Sequence, residues 1–444
     1  MRQFDRLIRV VAVLAIFGLA SCGPLEKKES VVPLAPIVQE APSAPTVPQI
    51  VPSAETVQSP ALPTVQPVET TTAPSGPTPV TTVETTKFTA PTITDKYPLV
   101  QLHFGMMRPL ALSPGKIWAG TGLGLVDVFD SKDGHLIQSI ALFPDAKEKA
   151  DSLIQSIASS KNTNEMLSNI MPALKLIDDL GFDGKNIWAV ASWIENHSSA
   201  GNHVYVIDPS DGKIIKQWDS SRWQNPDLEP GMFPAEDDMK LGFSPGKVWV
   251  MGKVIDTATF GMEDFMTSSK MVDYAYDGKG WMWMSQLSPV EHHEDLVAYN
   301  VDKPDDYRHP KYNPAYSFKI GGGDPIAVAD GKLWDASEET LLALPADGGK
   351  FATGFNAIEL VPMGKGSPEE MLFDGHYLWL LKSDETNTLY QIDPSTGKTL
   401  FKLDVTGDPD SMPPDLPNNI AFDGHDLWLL STISFSRIEL PYME

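Results

Sequence analysis

From residue 112 to residue 428 short apolar runs alternate with Gly-containing polar turns, and one local pattern recurs seven times. A small residue and a large apolar anchor lead into the turn, and a Trp follows six positions after the anchor. The anchors and their Trp residues are Leu112 and Trp118, Phe182 and Trp188, Phe243 and Trp249, Val328 and Trp334, Phe373 and Trp379, and Phe422 and Trp428. The seventh copy, Tyr276 to Met282, carries Met at the Trp position. Each copy predicts two strands joined by a tight turn, the anchor closing the first and the Trp lying in the second. A third strand and turn follow, as in His203 to Lys213 and Thr388 to Lys398, and then a fourth, such as Ile214 to Trp218. Four short strands per repeat predict an all-β propeller.

The anchors lie 70, 61, 33, 52, 45 and 49 residues apart. The spacing of 33 is tight for four strands, so either the third blade is trimmed or the ring has six blades; seven is the expected number. The long first interval is explained by a small helical insertion, about residues 145–180, in which Leu153, Ile154, Ile157, Met166, Leu167, Ile170 and Leu174 fall at helical spacing. Six of the seven residues preceding an anchor are small, as crowding among innermost strands requires. The repeated Trp is expected to pack between blades. The last repeat ends on a third strand, Phe435 to Leu440, and Leu99 to Phe104 is expected to supply the missing outer one, since an open ring would expose unpaired backbone.

Composition separates the propeller, residues 97–444, from what precedes it. Residues 1–22 read as a signal peptide: Arg2, Arg6 and Arg9 precede an apolar run that is too short to span a bilayer. It closes on Leu19-Ala20-Ser21-Cys22, which resembles the bacterial lipobox and implies lipidation of Cys22 and cleavage before it. Cys22 is the sole cysteine, which removes disulfides, Cys-rich zinc sites and a thiol nucleophile. Residues 23–96 are dominated by Pro, Thr, Val and Ser with few aromatics, a composition that predicts a disordered tether. Such a chain reaches at most about 200 Å as polyproline II and about 50 Å as a coil. The formal charge of −25 becomes −27 once a segment with three Arg and one Asp is removed. That balance argues against nucleic acid and against broad contact with anionic lipid, and it suits a soluble, monomeric particle.

The third-strand turns, Asp208-Pro-Ser-Asp-Gly-Lys213 and Asp393-Pro-Ser-Thr-Gly-Lys398, resemble those of the YVTN and quinoprotein-like repeat superfamily, and the likeness covers about residues 97–444. The Tyr-Val-Thr-Asn box is absent, with Trp in place of its Tyr. Quinoprotein dehydrogenases set a docking Trp closer to the turn Asp than Trp218 is to Asp208, so the resemblance does not extend to quinone binding. In anchor and fold the chain is also similar to lipoprotein propellers of outer-membrane assembly.

Propeller geometry puts the short Gly turns on one face and the longer connections on the other, where function is expected. Those connections include Trp193 to His197, Ser220 to Asp238 with Trp223, Glu291 to Asp295, and Asp408 to Pro417. Three residues before each anchor stand Pro109, Asp179, Lys240, Asp273, Pro325, Glu370 and Asn419, with Asp324 beside Pro325. In register, these ring one mouth of the channel. Such oxygen ligands would suit Ca²⁺, as in lactonase-type propellers, which the ring resembles; a solvated acidic funnel without any cofactor is the alternative. Glu291-His292-His293-Glu294-Asp295 reads as a solvated loop, because adjacent His side chains diverge. Asp130 to Gly134 reads as a hairpin turn, and His376 and His425 as turn decoration.

These observations predict a lipid-anchored propeller in the cell envelope, facing the periplasm or the exterior. It would act as a non-enzymatic binding or assembly scaffold for a protein or carbohydrate ligand. The rival is a lactonase-like hydrolase or a lyase working at Asp179, Asp273, Glu370 and Asn419.

Overall fold

A computed structural model describes residues 91–98 and 109–441, leaving aside 153–174, 221–238, 265–269, 288–293, 309–324, 407–416 and shorter stretches. Seven antiparallel sheets follow one another around a ring in chain order. Their innermost strands are Leu110–Ser113, Lys175–Phe182, Gly242–Ser244, Lys270–Tyr276, Ile326–Ala329, Ser367–Phe373 and Pro417–Phe422. The expectation of seven blades is met. Blade three is the trimmed one: Gly242–Ser244, Lys247–Val250, Lys253–Asp256 and Met262–Asp264 complete four strands. It fits its short interval because Met251 and Gly252, both at positive φ, make a two-residue turn between Val250 and Lys253.

The ring closes through the N-terminus. Thr92–Pro98 pairs antiparallel with Ser434–Glu439 and becomes the outer strand of blade seven. The closing strand therefore lies upstream of the segment expected from sequence, Leu99 to Phe104, which falls outside the described residues. It also begins before the expected domain boundary at residue 97. Of the expected helical insertion, residues 146–150 are helical, 153–174 lie outside the described residues, and Lys175–Phe182 is the inner strand of blade two.

Seven hydrophobic clusters fill the seven joints between neighbouring blades, and each holds one of Trp118, Trp188, Trp249, Trp283, Trp334, Trp379 and Trp428. All seven rings are fully buried. Truncating such a side chain to Ala costs about 3–5 kcal/mol. Trp283, rather than Met282, is the equivalent in blade four: it pairs across from Ala275 as Trp188 pairs across from Gly181. The turn there is one residue longer, with Gly278 and Gly280 both at positive φ, which displaces the Trp by one position in sequence.

Turn residues tie the indoles down. Nε1 of Trp188, Trp379 and Trp428 donates to Asp183, Asp374 and Asp423 at 2.7, 2.7 and 2.8 Å, while Trp118 and Trp249 donate to Ser113 and Ser244 at 2.8 and 3.0 Å. A second link crosses between blades on the short-turn face. The Lys116 ammonium donates to the Pro209 carbonyl, Lys247 to that of Val301, and Lys332 to those of Pro394 and Ser395.

Candidate functional site

A β-bulge interrupts four of the inner strands at one level: between Ile177 and Asp179, Met271 and Asp273, Pro368 and Glu370, and Pro417 and Asn419. A bulge adds a residue to one strand and re-aims the side chain that follows. Asp179, Asp273, Glu370 and Asn419 are thus each the first residue after a bulge.

Four of the expected site residues come together. The ammonium of Lys240, from the start of blade three, meets Glu370 Oε2 of blade six at 2.9 Å. In a ring of seven these blades are as far apart as two can be, so the ion pair spans the channel. It is largely shielded, with the Lys240 and Glu370 side chains 25% and 18% exposed. Asp179 and Asp273 flank it from blades two and four, and both interact electrostatically with Lys240 and Glu370.

The two aspartates are also joints between blades. Asp179 Oδ1 accepts the N–H of Leu180 at 2.9 Å, and its Oδ2 accepts that of Leu241, in the next blade, at 2.7 Å. Asp273 repeats the device, with Oδ1 accepting from Tyr274 at 2.8 Å and Oδ2 from Ile326 of blade five at 2.9 Å. Burial pushes the Asp179 carboxyl up to about 6 and the Asp273 carboxyl up to about 7. Lys240 and the backbone donors oppose that rise without cancelling it, and the like charge of Glu370 adds to it. The Lys240 ammonium itself is held above its ordinary value: burial works against its charge, but Glu370, Asp179 and Asp273 together outweigh it.

The remaining expected residues stand elsewhere. Asn419 occupies the post-bulge position of blade seven and pairs with Leu430 across the hairpin. Trp193 lies not in a loop but in the strand Ile187–Glu195, opposite Lys175 and Gly201, because blade two extends its second and third strands into a long hairpin. Glu294 and Asp295 likewise belong to the strand Glu294–Asn300. Cys22, Trp223, Asp324, His292 and His293 lie outside the described residues.

Lys240 stands where a cation bound by the acids would sit. The ring therefore fits Ca²⁺ poorly, because an ion would have to displace an ammonium that is already neutralised. On the short-turn face Asp130, Asp133 and His135 place ligand atoms within 4.8 Å of one another, yet the two carboxylates already accept the turn N–H groups of Lys132 and His135. That trio is the hairpin turn expected from sequence.

Sequence reasoning missed the lysine bridges. Their signal was present: Lys116, Lys247 and Lys332 each stand between a turn Gly and the apolar residue before Trp. It also missed the sandwich of Trp218 on Trp188, with centroids 6.0 Å apart and planes 11° apart, edged by Phe260 of blade three.

No family model and no curated protein matches this chain. Among solved structures it is similar to BamB from Moraxella catarrhalis, 9% identical over 80% of this chain and 99% of that one, with a TM-score of 0.44. It is also similar to a chain in the crystal structure of the Mitotic Checkpoint Complex, 10% identical over 80% of this chain and 97% of that one, with a TM-score of 0.50. At these identities the likeness concerns the fold alone.

Proposed function

We propose that this protein is a lipid-anchored, extracytoplasmic propeller that serves as a binding or assembly scaffold through the face carrying its longer connections. The observation that carries the reading is the internal pairing of the channel cluster. Asp179 and Asp273 each receive a backbone N–H on both oxygens, and Glu370 is paired with Lys240. Groups committed in this way build a hub and leave recognition to the loops around it. The short-turn face is knitted by lysine bridges, which leaves the opposite face as the variable surface.

The enzyme reading retains one observation in its favour: two carboxyls with raised pKa beside a lysine in a channel are a recurrent catalytic arrangement. The two are separated by crosslinking the tethered protein in intact cells and comparing partner capture by Trp223→Ala with capture by Asp273→Asn. A scaffold loses its partner with the loop variant and keeps it with the channel variant. Loss of a lactone-hydrolysing or lyase activity in Asp273→Asn, with capture intact in Trp223→Ala, would replace the scaffold by the enzyme. The anchor is tested by Cys22→Ser, which is expected to move the protein from the membrane to the soluble fraction.

A further inference from the structure

Lys240 immediately precedes Leu241, whose N–H is held by Asp179, so blade two fixes the point from which the Lys240 side chain departs. Its ammonium then reaches blade six through Glu370. Asp273 binds blade four to blade five through Ile326, and its charge acts on the same ammonium. Five blades are therefore linked through one cluster at the axis. Among the described residues, the charged groups around the aspartates are Lys240 from blade three and Glu370 from blade six, with the buried Tyr274 phenol next to Asp273. Blade five contributes the uncharged Ile326 through its N–H, and the acids next along the bulged strands are Asp178 and Glu369.

We propose that these four side chains form a pH-graded latch across the central channel, with the Lys240–Glu370 pair as its tie across the axis and Asp179 and Asp273 as its titrating members. Three carboxylates face one ammonium, so the fully ionised latch carries two uncompensated negative charges in a poorly solvated space. Taking up two protons is how it reaches neutrality. Above the transition the inter-blade hydrogen bonds are charge-assisted but the carboxylates repel one another. Below it the repulsion between the two aspartates is gone. The device would make the ring tighten on mild acidification. Asp179 and Asp273 serve here as positioning and titrating groups, and no bound ligand is required.

The test uses the full chain without partner. Carboxyl carbon NMR, with resonances assigned by Asp179→Asn and Asp273→Asn, should show midpoints close to 6 and 7. Glu370→Gln, which keeps size and one acceptor, should move both midpoints down, because a like charge is removed. Lys240→Met should move both up. The thermal midpoint should rise on going from pH 8 to pH 5, with a smaller rise in Asp273→Asn. Both aspartates titrating with the midpoint of solvent-exposed carboxylates, or midpoints indifferent to Glu370→Gln, would overturn the latch. Glu370→Gln decides the matter even where Lys240→Met does not fold. Since no partner is present, failure of the latch leaves the scaffold reading untouched, and failure of partner capture leaves the latch untouched.

Discussion

Asp374 gathers three hydrogen bonds in one turn: Oδ1 accepts the N–H groups of His376 and Tyr377, each at 2.7 Å, and Oδ2 accepts the indole of Trp379 at 2.7 Å. Asp374→Ala would leave a buried indole N–H without its acceptor, at an expected cost of about 2–3 kcal/mol read from the urea midpoint. Asp374→Asn should cost less, and equal losses from the two would mean that the carboxylate is not what fastens the Trp. Gly181 shows a different constraint. A Cβ there would lie 2.1 Å from the Phe243 ring of the next blade, so Gly181→Ala should cost about 1–3 kcal/mol, and Phe243→Leu should recover part of it. If the double variant is no more stable than the single one, the clash is not the cause. The need for a small residue at position 181 was legible in the repeat, because six of seven copies share it. Its partner was not, since Phe243 is 62 residues away and meets Gly181 only once two blades are docked.

At the scale of strands, the register was readable wherever the anchor and the Trp are separated by a fixed turn. It failed by one residue at Trp283, where the extra turn residue is visible only as the run Asp277-Gly278-Lys279-Gly280. The polar ring before the anchors was likewise readable as a set of positions. What escaped was the bulge that aims those residues, because a bulge follows from pairing with the neighbouring strand and leaves no composition of its own. For the same reason the double duty of Asp179 and Asp273 was hidden: it depends on how near the next blade's backbone comes. Closure makes the sharpest test at this scale. A chain beginning at residue 90 should melt like the full-length protein, whereas one beginning at residue 99 should leave Ser434–Glu439 unpaired at its outer edge. The shorter chain is expected to lose several degrees in thermal midpoint and to aggregate at concentrations where the longer one stays monomeric. Equal stability of the two would rule out Thr92–Pro98 as the closing strand.

For the whole molecule, the titrating groups pull in opposite directions. Asp179 and Asp273 have folded pKa values above those of the unfolded chain, so the stability they add is complete below about pH 4 and is lost as pH rises through about 6 and about 7. Other acids behave inversely. The Asp145 carboxyl is held down at about 2 by Lys149 and Lys175, and Asp208, Asp211 and Asp404 are lowered by Ser210, Lys213 and Thr406, so their contribution disappears on acidification below about pH 4. These latter groups sit in water and count for little each. The thermal midpoint should therefore peak between about pH 4 and pH 5 and decline toward pH 8, and a maximum above neutrality would contradict the raised values. The closing strand has one more consequence, in time rather than in space. Thr92–Pro98 is the first part of the propeller to be synthesised and Ser434–Glu439 nearly the last, so the first-made strand must wait unpaired until the final blade exists. Assembly of the ring thus has a built-in completion check, and any chain released early is left with an exposed strand at each end.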